Sequence, residues 1–543
     1  MNPVRTKSKR KLEFAQKLIW FFEQSVFAPF LLSIQMVFQS FFINITQLDY
    51  FEVVRPVLAA LLFSFIVFGV VYFFLRNTLK AGLIASPFLL FFFLFGEAAD
   101  WLTATFGFGP EKSNLFVLVF AVLCMCVWGW LVQSRLRSIR SFNLYFNLLS
   151  IFFLINSAIQ LSSYLYVNGV SVDLSVRPAS VTSGSSDRPR PDIYYIILDA
   201  YGRQDILQEF YDFDNSDFIN SLNNKGFFVA DQSSSNYVQT LLSISSALNM
   251  DYLQNVKIND RELESRDDLT EIIDQSKVRT ILAQNGYGTI SFHNDYQATM
   301  KTADIYYENR SSGLTQPVTA FESIVFNNSM TRVLLQIPSV KQTMVDIPYE
   351  THREYILSTF NKLKDVPDLE GDYFVYAHVI SPHPPFVFDE NGEVVLHSQP
   401  FSLADASTYT INKDSRRAEY ISSYRKQIQY INKLVLETVD VILAESKTPP
   451  IIIIQGDHGP GAYLNWKSLE RTIPAERFGI LNAYYFPDQD YSLLDQSISP
   501  VNSFRVVLDQ FMDGEYEQLP DRHYYSQLRF PFDFIEVTDL SLP

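Results

Sequence analysis

Six short apolar runs lie beyond residue 190 of this 543-residue chain, and four of them end in aspartate or histidine. IYYIIL (193–198) is followed by Asp199, and YGTISF (287–292) by His293. DYFVYA (372–377) runs into HVISPHPPF, which holds His378 and His383. IIIIQ (451–455) leads through Gly456 to Asp457 and His458. The chain has only seven histidines, so most of its imidazoles stand at these ends. Any one strand can stop at an aspartate because a turn follows. His378 taken alone reads equally well as an ordinary hydrogen-bonded histidine. Coincidence explains the whole set less well. Carboxylates and imidazoles without cysteine suit a divalent ion, with Mn²⁺, Zn²⁺, Mg²⁺ and Ca²⁺ all open. The glycines of QGDHGPG are expected to turn the backbone so that Asp457 and His458 face one point. His352, His397 and His523 stand apart and are expected on the surface or in loops.

Such an ion could activate water or a protein hydroxyl. SSSNYVQTLLSISSALNM (233–250) offers one. Polar residues precede a Leu/Ile-periodic segment, the pattern of a helix start, with Thr240 in the first turn. Free N–H groups and the helix dipole there favour an anion. By composition alone, Thr240 and Ser243 also read as simple capping residues.

These groups need a frame. Strand-like runs at 193–198, 226–230, 287–292, 372–379, 451–455 and 478–486 alternate with helix-like stretches near 214–225, 240–250, 277–285, 351–365, 416–446 and 502–512. That alternation predicts an α/β domain with a mainly parallel sheet and helices on both faces. In such a sheet the site gathers at the carboxyl ends of the strands.

Before residue 170 the solvent changes. Five apolar stretches, near 18–45, 54–75, 80–99, 114–132 and 144–166, are long enough to span a bilayer. The first is interrupted by Glu23 and Pro29. Basic residues crowd the N-terminus (MNPVRTKSKRK) and the loops holding Arg76, Lys80, Arg135, Arg137 and Arg140, while Asp49, Glu52, Glu97, Asp100 and Glu111 mark the others. Positive loops stay cytoplasmic. The expectation is a multi-pass plasma (inner) membrane protein, N-terminus inside and everything after 167 extracytoplasmic. Residues 1–170 form the α-helical membrane domain, 171–191 (rich in Ser, Pro and Arg) a linker, and 192–543 the second domain. Residues 1–170 carry 13 Lys+Arg and 7 Asp+Glu, leaving 30 and 52 for the rest. So acidic a domain excludes nucleic acid as a partner. Both cysteines, Cys124 and Cys126, lie in an apolar run, so the soluble part has no disulfide framework.

Together, the strand ending in Asp199, the hydroxyl region forty residues on, the HPPF element (383–386) and the DHG element (457–459) resemble the alkaline phosphatase/sulfatase superfamily. The resemblance covers roughly 192–510. The Cys/Ser-x-Pro-x-Arg nucleophile signature of sulfatases is absent. Lining TLLSISSALNM up on the helix that follows it puts Thr240 at the nucleophile position. A threonine there, with about five membrane helices ahead, is similar to lipoteichoic-acid synthases and phosphoethanolamine transferases. NGYGTISFHNDY also resembles their Asn-Gly-Tyr…Phe-His-Gly-Asn stretch and would bring His293 near the transferred group. The resemblance implies a divalent metal on Asp199, Thr240, Asp457 and His458. It implies catalytic roles for Thr240, His383 and His293, with His378 a further ligand or a support to one. It implies a membrane lipid or envelope glycan as substrate. A sulfate or phosphate ester hydrolase using water, and a degenerate membrane scaffold, are the alternatives. The sequence sets no oligomeric state.

Overall fold

The computed structural model describes residues 16–43, 53–167, 190–258, 261–294, 296, 298–308, 318–397, 401–410 and 414–540. The basic N-terminus, the loop with Asp49 and Glu52, and the linker stretch 171–189 lie outside the described residues. The chain divides into two compact units. One comprises Met1–Val176 with Pro317–Met344, the other Arg177–Gln316 with Val345–Pro543.

The first unit is helical: α1 (Gln16–Gln24), α2 (Ala28–Ile43), α3 (Val54–Leu75), α4 (Thr78–Phe93), α5 (Phe95–Phe106), α6 (Pro110–Ser134) and α7 (Ile139–Val167). Among the described residues, three helices are long and apolar enough to cross a membrane: α3, α6 and Ile139–Gln160 of α7. The count reaches five if the bent pairs α1/α2 and α4/α5 are each one span. The sequence suggests one span over 18–45, but the chain turns by 84° between α1 and α2. A pair of asparagines over a hundred residues away caps the break. Asn147 Nδ2 donates to the carbonyls of Phe22 (2.8 Å) and Ser25 (2.7 Å), and its Oδ1 accepts from Phe27 (3.0 Å) and Ala28 (2.9 Å). Asn143 Nδ2 adds bonds to the same carbonyls. A helix break in an apolar solvent exposes backbone groups that need such partners.

The returning segment Pro317–Met344 belongs to this unit. Phe321 is buried among Val37, Phe41, Ala60, Leu89 and Phe93. Arg55 grips Glu322 through two parallel bonds, Nε to Oε1 at 2.6 Å. Arg332 donates to Asp100 (2.7 Å) and to the Gly96 carbonyl (3.0 Å). Met330 and Val333 pack on Phe95, Ala99 and Val117.

The second unit is built on a seven-stranded sheet of order β2-β9-β8-β1-β7-β5-β6. Its strands are β1 (Ile193–Leu198), β2 (Phe228–Val229), β5 (Gly288–Phe292), β6 (Ile305–Tyr307), β7 (Tyr373–Val379), β8 (Ile451–Gln455) and β9 (Asn482–Tyr485). A short ribbon, β3 (Lys257–Ile258) with β4 (Arg261–Glu262), and a hairpin, β10 (His523–Gln527) with β11 (Phe530–Val537), stand apart. β1 is parallel to β7 and β8, and β5 to β6 and β7; β9 runs antiparallel to β2 and β8.

The apolar runs follow from burial on both faces. Tyr194, Ile196 and Leu198 of β1 enter one core with Ile452 and Ile454 of β8. Ile193, Tyr195 and Ile197 enter the other with Ile451 and Ile453. Parallel register brings the strand ends level: Ile197 is opposite both His378 and Gln455. The N–H of Asp199 donates to the Val379 carbonyl at 2.9 Å. The sequence reading missed β3, β4, β6, β10 and β11, and it put His352 and His523, the first residue of β10, at the surface or in loops. His352 is buried, on the helix Pro338–Asp365.

A side chain on Gly96 would fall onto the backbone of Asn327 and Asn328. Gly96→Ala should therefore cost about 1–3 kcal/mol, read as a lower midpoint of thermal unfolding of the full-length protein in detergent. An unchanged midpoint would show that the returning segment does not pack closely there.

Candidate active site

Asp199, the residue after β1, is buried, and the chain turns at once. Ala200 takes a left-handed conformation (φ 63°), which costs a residue with a Cβ of order 1 kcal/mol. The turn is clasped. Tyr424, on the long helix Asp414–Glu445, donates to the Ala200 carbonyl at 2.8 Å, and the Ala200 N–H donates to Asp457 Oδ1 at 3.0 Å. The two strand-end carboxylates are thus tied through one peptide.

Asp457 and His458 follow β8. The glycines around them do not act as the sequence suggests, since neither Gly456 nor Gly459 has a positive φ. They are needed for close approach. A side chain on Gly456 would meet the Tyr201 carbonyl, and one on Gly459 the Glu476 carbonyl.

His458 is fully buried. Its Nδ1–H donates to the Gly459 carbonyl at 3.0 Å, which leaves a lone pair on Nε2. Nε2 lies 3.2 Å from Asp457 Oδ2 and 3.7 Å from Asp199 Oδ1. Burial, then the Arg477 guanidinium, holds the imidazole below its ordinary pKa, so it is neutral near pH 7. Thr240 opens the helix Thr240–Asn249, with Gln239 in extended conformation at its N-cap. Its Oγ1 is 3.0 Å from His458 Nε2.

His378, within β7, places its Nε2 3.2 Å from Asp199 Oδ2. Asn294 Nδ2 meets its Nδ1 at 3.3 Å and its carbonyl at 2.8 Å. His378 thus orients a carboxylate. The backbone N–H of His383 donates to the Asp199 carbonyl at 3.0 Å, and Gln427 holds the loop by bonds to the His383 carbonyl and the Val387 N–H. The His383 ring centre is 6.4 Å from that of His458, and its Nε2 is 3.8 Å from Asp405. Burial pushes Asp199 up, but His383, His378 and His458 outweigh it and hold the carboxyl well below the usual range.

The structure therefore brings together Asp199, Thr240, Asp457, His458 and His383, and adds His378. It places His293 against Tyr306, whose hydroxyl is 3.3 Å from Nδ1, and edge-on to Tyr355. Its neighbour Asn294 is the residue that reaches His378.

Two buried residues were missed. Arg477, 1% exposed, pairs with Asp405 at 2.8 Å. Burial pushes Asp405 up, but His383, Arg477 and His458 pull harder, so it sits below the usual carboxylate range. Neither residue follows an apolar strand; Arg477 stands just before the apolar run 478–486. A lone charge in such a stretch reads as solvated surface.

Asp199 Oδ1 and Asp457 Oδ2 are buried without a hydrogen-bond partner. An uncompensated buried carboxylate oxygen costs several kcal/mol. Asp199, Asp457 and His458 offer ligand atoms within 4.8 Å of one another. Two oxygens and a neutral imidazole nitrogen suit Zn²⁺ or Mn²⁺, and the residues present fit a divalent ion.

Comparison with known proteins follows the same lines. A family model described as Sulfatase matches residues 191–499, more than half of the chain. No curated protein matches. Among solved structures, the zinc complex of the C-terminal periplasmic domain of EptC from Escherichia coli is 12% identical, with TM-score 0.40, covering 65% of this chain and 94% of that one. The integral membrane lipooligosaccharide phosphoethanolamine transferase A from Neisseria meningitidis is 13% identical, with TM-score 0.36, over 89% of this chain and 95% of that one. A 2-O GAG sulfatase, BT1596, is 9% identical, with TM-score 0.38, over 62% and 78%.

At one hundred times its Kd, Mn²⁺ should stabilise the protein by about 2.7 kcal/mol, read as a raised thermal midpoint. Asp457→Asn should remove most of that gain. An equal gain in the variant would show that Asp457 is not a ligand.

Proposed function

The chain belongs to the sulfatase family, and from that premise we propose that it is a membrane-anchored, metal-dependent enzyme acting on a phospho group of a lipid or cell-envelope substrate through Thr240. The observation that carries this reading is the Thr240 hydroxyl. It stands at a helix N-terminus, 3.0 Å from His458 Nε2, beside two carboxylates with unpartnered oxygens. A threonine placed there can take up and pass on a group, which a site built only to activate water would not need.

A divalent ion on Asp199, Asp457 and His458, beside Thr240, supplies a Lewis acid that lowers the pKa of a nearby hydroxyl. Thr240 Oγ1 attacks phosphorus and its proton goes to solvent. The bond from phosphorus to Thr240 forms as the bond to the leaving alcohol breaks, and His383 gives that alcohol its proton. The free N–H groups at the start of Thr240–Asn249 offset the charge that gathers on the transferred group. A hydroxyl of the acceptor then gives its proton to His383 and bonds to phosphorus as the bond to Thr240 breaks, and Thr240 regains a proton from solvent. We assign His293, on the same rim of the sheet, to the leaving-alcohol side of the substrate. His378 and Asn294 keep Asp199 in place.

The site is assigned to the extracytoplasmic face. The segment Pro317–Met344, which comes from the acidic half, binds Arg55 at the start of α3 and Asp100 in α5. Charge alternation puts both of those ends outside. A second reading, hydrolysis of a sulfate or phosphate ester with water as acceptor, draws support from the family model itself.

Full-length protein loaded with Mn²⁺ is assayed with a chromogenic phosphodiester and a chromogenic sulfate ester, beside Thr240→Ala. Phosphodiester turnover should fall at least about 10³-fold in the variant. Sulfate turnover lost in the variant would select the second reading. Turnover retained by Thr240→Ala would remove Thr240 as nucleophile.

A further inference from the structure

We propose that Arg477 is the anion-binding residue of this site, and that the cation releases it for that task, so that the cation binds first and the anion second. The inference rests on the assignment of the site to a phospho group.

A buried guanidinium needs an acceptor for each direction in which it points. Arg477 has them. Nε–H donates to the Val238 carbonyl at 3.0 Å. Nη1 donates to Asp405 at 2.8 Å and to the Gly459 carbonyl at 3.0 Å. These bonds tie the guanidinium to the turn two residues before Thr240 and to the loop that carries His458. The acceptor of Nη2 is different in kind: it is His458 Nε2, at 3.0 Å.

That nitrogen carries one lone pair, because Nδ1 holds the proton given to Gly459. Three groups compete for it: the Thr240 hydroxyl, the Arg477 Nη2–H, and any cation held with Asp199 and Asp457. The Thr240 hydroxyl and Arg477 Nη2–H share it, each at 3.0 Å. A cation on Nε2 therefore displaces both donors. The Thr240 hydroxyl becomes the nucleophile, and Nη2–H is left buried and seeking an acceptor. Thr240 Oγ1 and Nη2 each lie 3.0 Å from the same atom, so at most twice that distance separates them. A non-bridging oxygen of a tetrahedral group attacked by Thr240 falls within that span.

Charge gives the same order. Three carboxylates, Asp199, Asp457 and Asp405, face one guanidinium, Arg477, and these four groups sum to about −2, which repels an anion. A divalent cation brings the total near zero.

Full-length protein in detergent is titrated with inorganic phosphate, with and without stoichiometric Mn²⁺, in parallel with Mn²⁺ affinity. Wild type should bind phosphate at least tenfold more tightly when Mn²⁺ is present. Arg477→Gln combined with Asp405→Asn removes both buried charges together. Arg477→Lys keeps the charge beside Asp405 but loses the fork. Whichever variant folds should hold Mn²⁺ within about threefold of wild type and bind phosphate roughly 10- to 100-fold more weakly. A purely structural arginine would leave phosphate affinity unchanged in a folded, Mn²⁺-loaded variant, and that result overturns the inference. Equal phosphate binding with and without Mn²⁺ in wild type overturns the order, even if neither variant folds. Mn²⁺-loaded wild type that binds no phosphate overturns the phospho-group reading itself.

Discussion

Asp199 and Asp457 stand side by side at the ends of adjacent parallel strands, both out of water, and like charges so placed repel. The surrounding structure holds them there. β1 and β8 share two cores, one on each face of the sheet, and their register leaves no slack at the carboxyl end. The Ala200 N–H bonds one carboxylate, and His378, steadied by Asn294, bonds the other. What these bonds do not cover is one oxygen on each side chain. A fold that concentrates so much negative charge on so few atoms is prepared for a positive partner. The neutral imidazole of His458 stands where it can share that partner.

Much of this was legible because a strand buried on both faces leaves an unbroken apolar run, and its end is conspicuous. Asp199, His378, Asp457 and His458 all stand out for that reason, and Thr240 because a polar-to-periodic switch marks a helix start. Arg477 and Asp405 carry no such mark. They lie 72 residues apart and meet only after the loops beyond β7 and β8 have folded back. The role of Gly456 and Gly459 was misread for a related reason. A glycine in a turn-like string suggests a turn, whereas here the constraint is a neighbouring carbonyl from a distant segment. Asn294, which carries no mark in the sequence, is the side chain that meets His378.

The helical unit follows the same logic in a different solvent. Apolar packing gives little direction among lipid-facing helices, so short polar contacts fix the arrangement. Ser64 donates to Ser33 at 2.6 Å and Ser157 to Gln35 at 2.7 Å. Asn143 and Asn147 cap the bend within the first apolar stretch. The hydropathy of a stretch states how far it could reach, and a pair of amides on another helix caps it where it bends.

The chain passes between its two units three times, after Val176, Gln316 and Met344. A head on one stalk can be cut free at a single place; three crossings leave no such place. Any soluble fragment starting at Arg177 would also carry Pro317–Met344 away from the helices that shelter it. Phe321 would then face water without Phe41 and Phe93, and Glu322 would stand without Arg55. Such a fragment would be sticky for a reason unrelated to its active site. A faithful water-soluble version would need that segment replaced by a short polar bridge rather than merely losing its N-terminus.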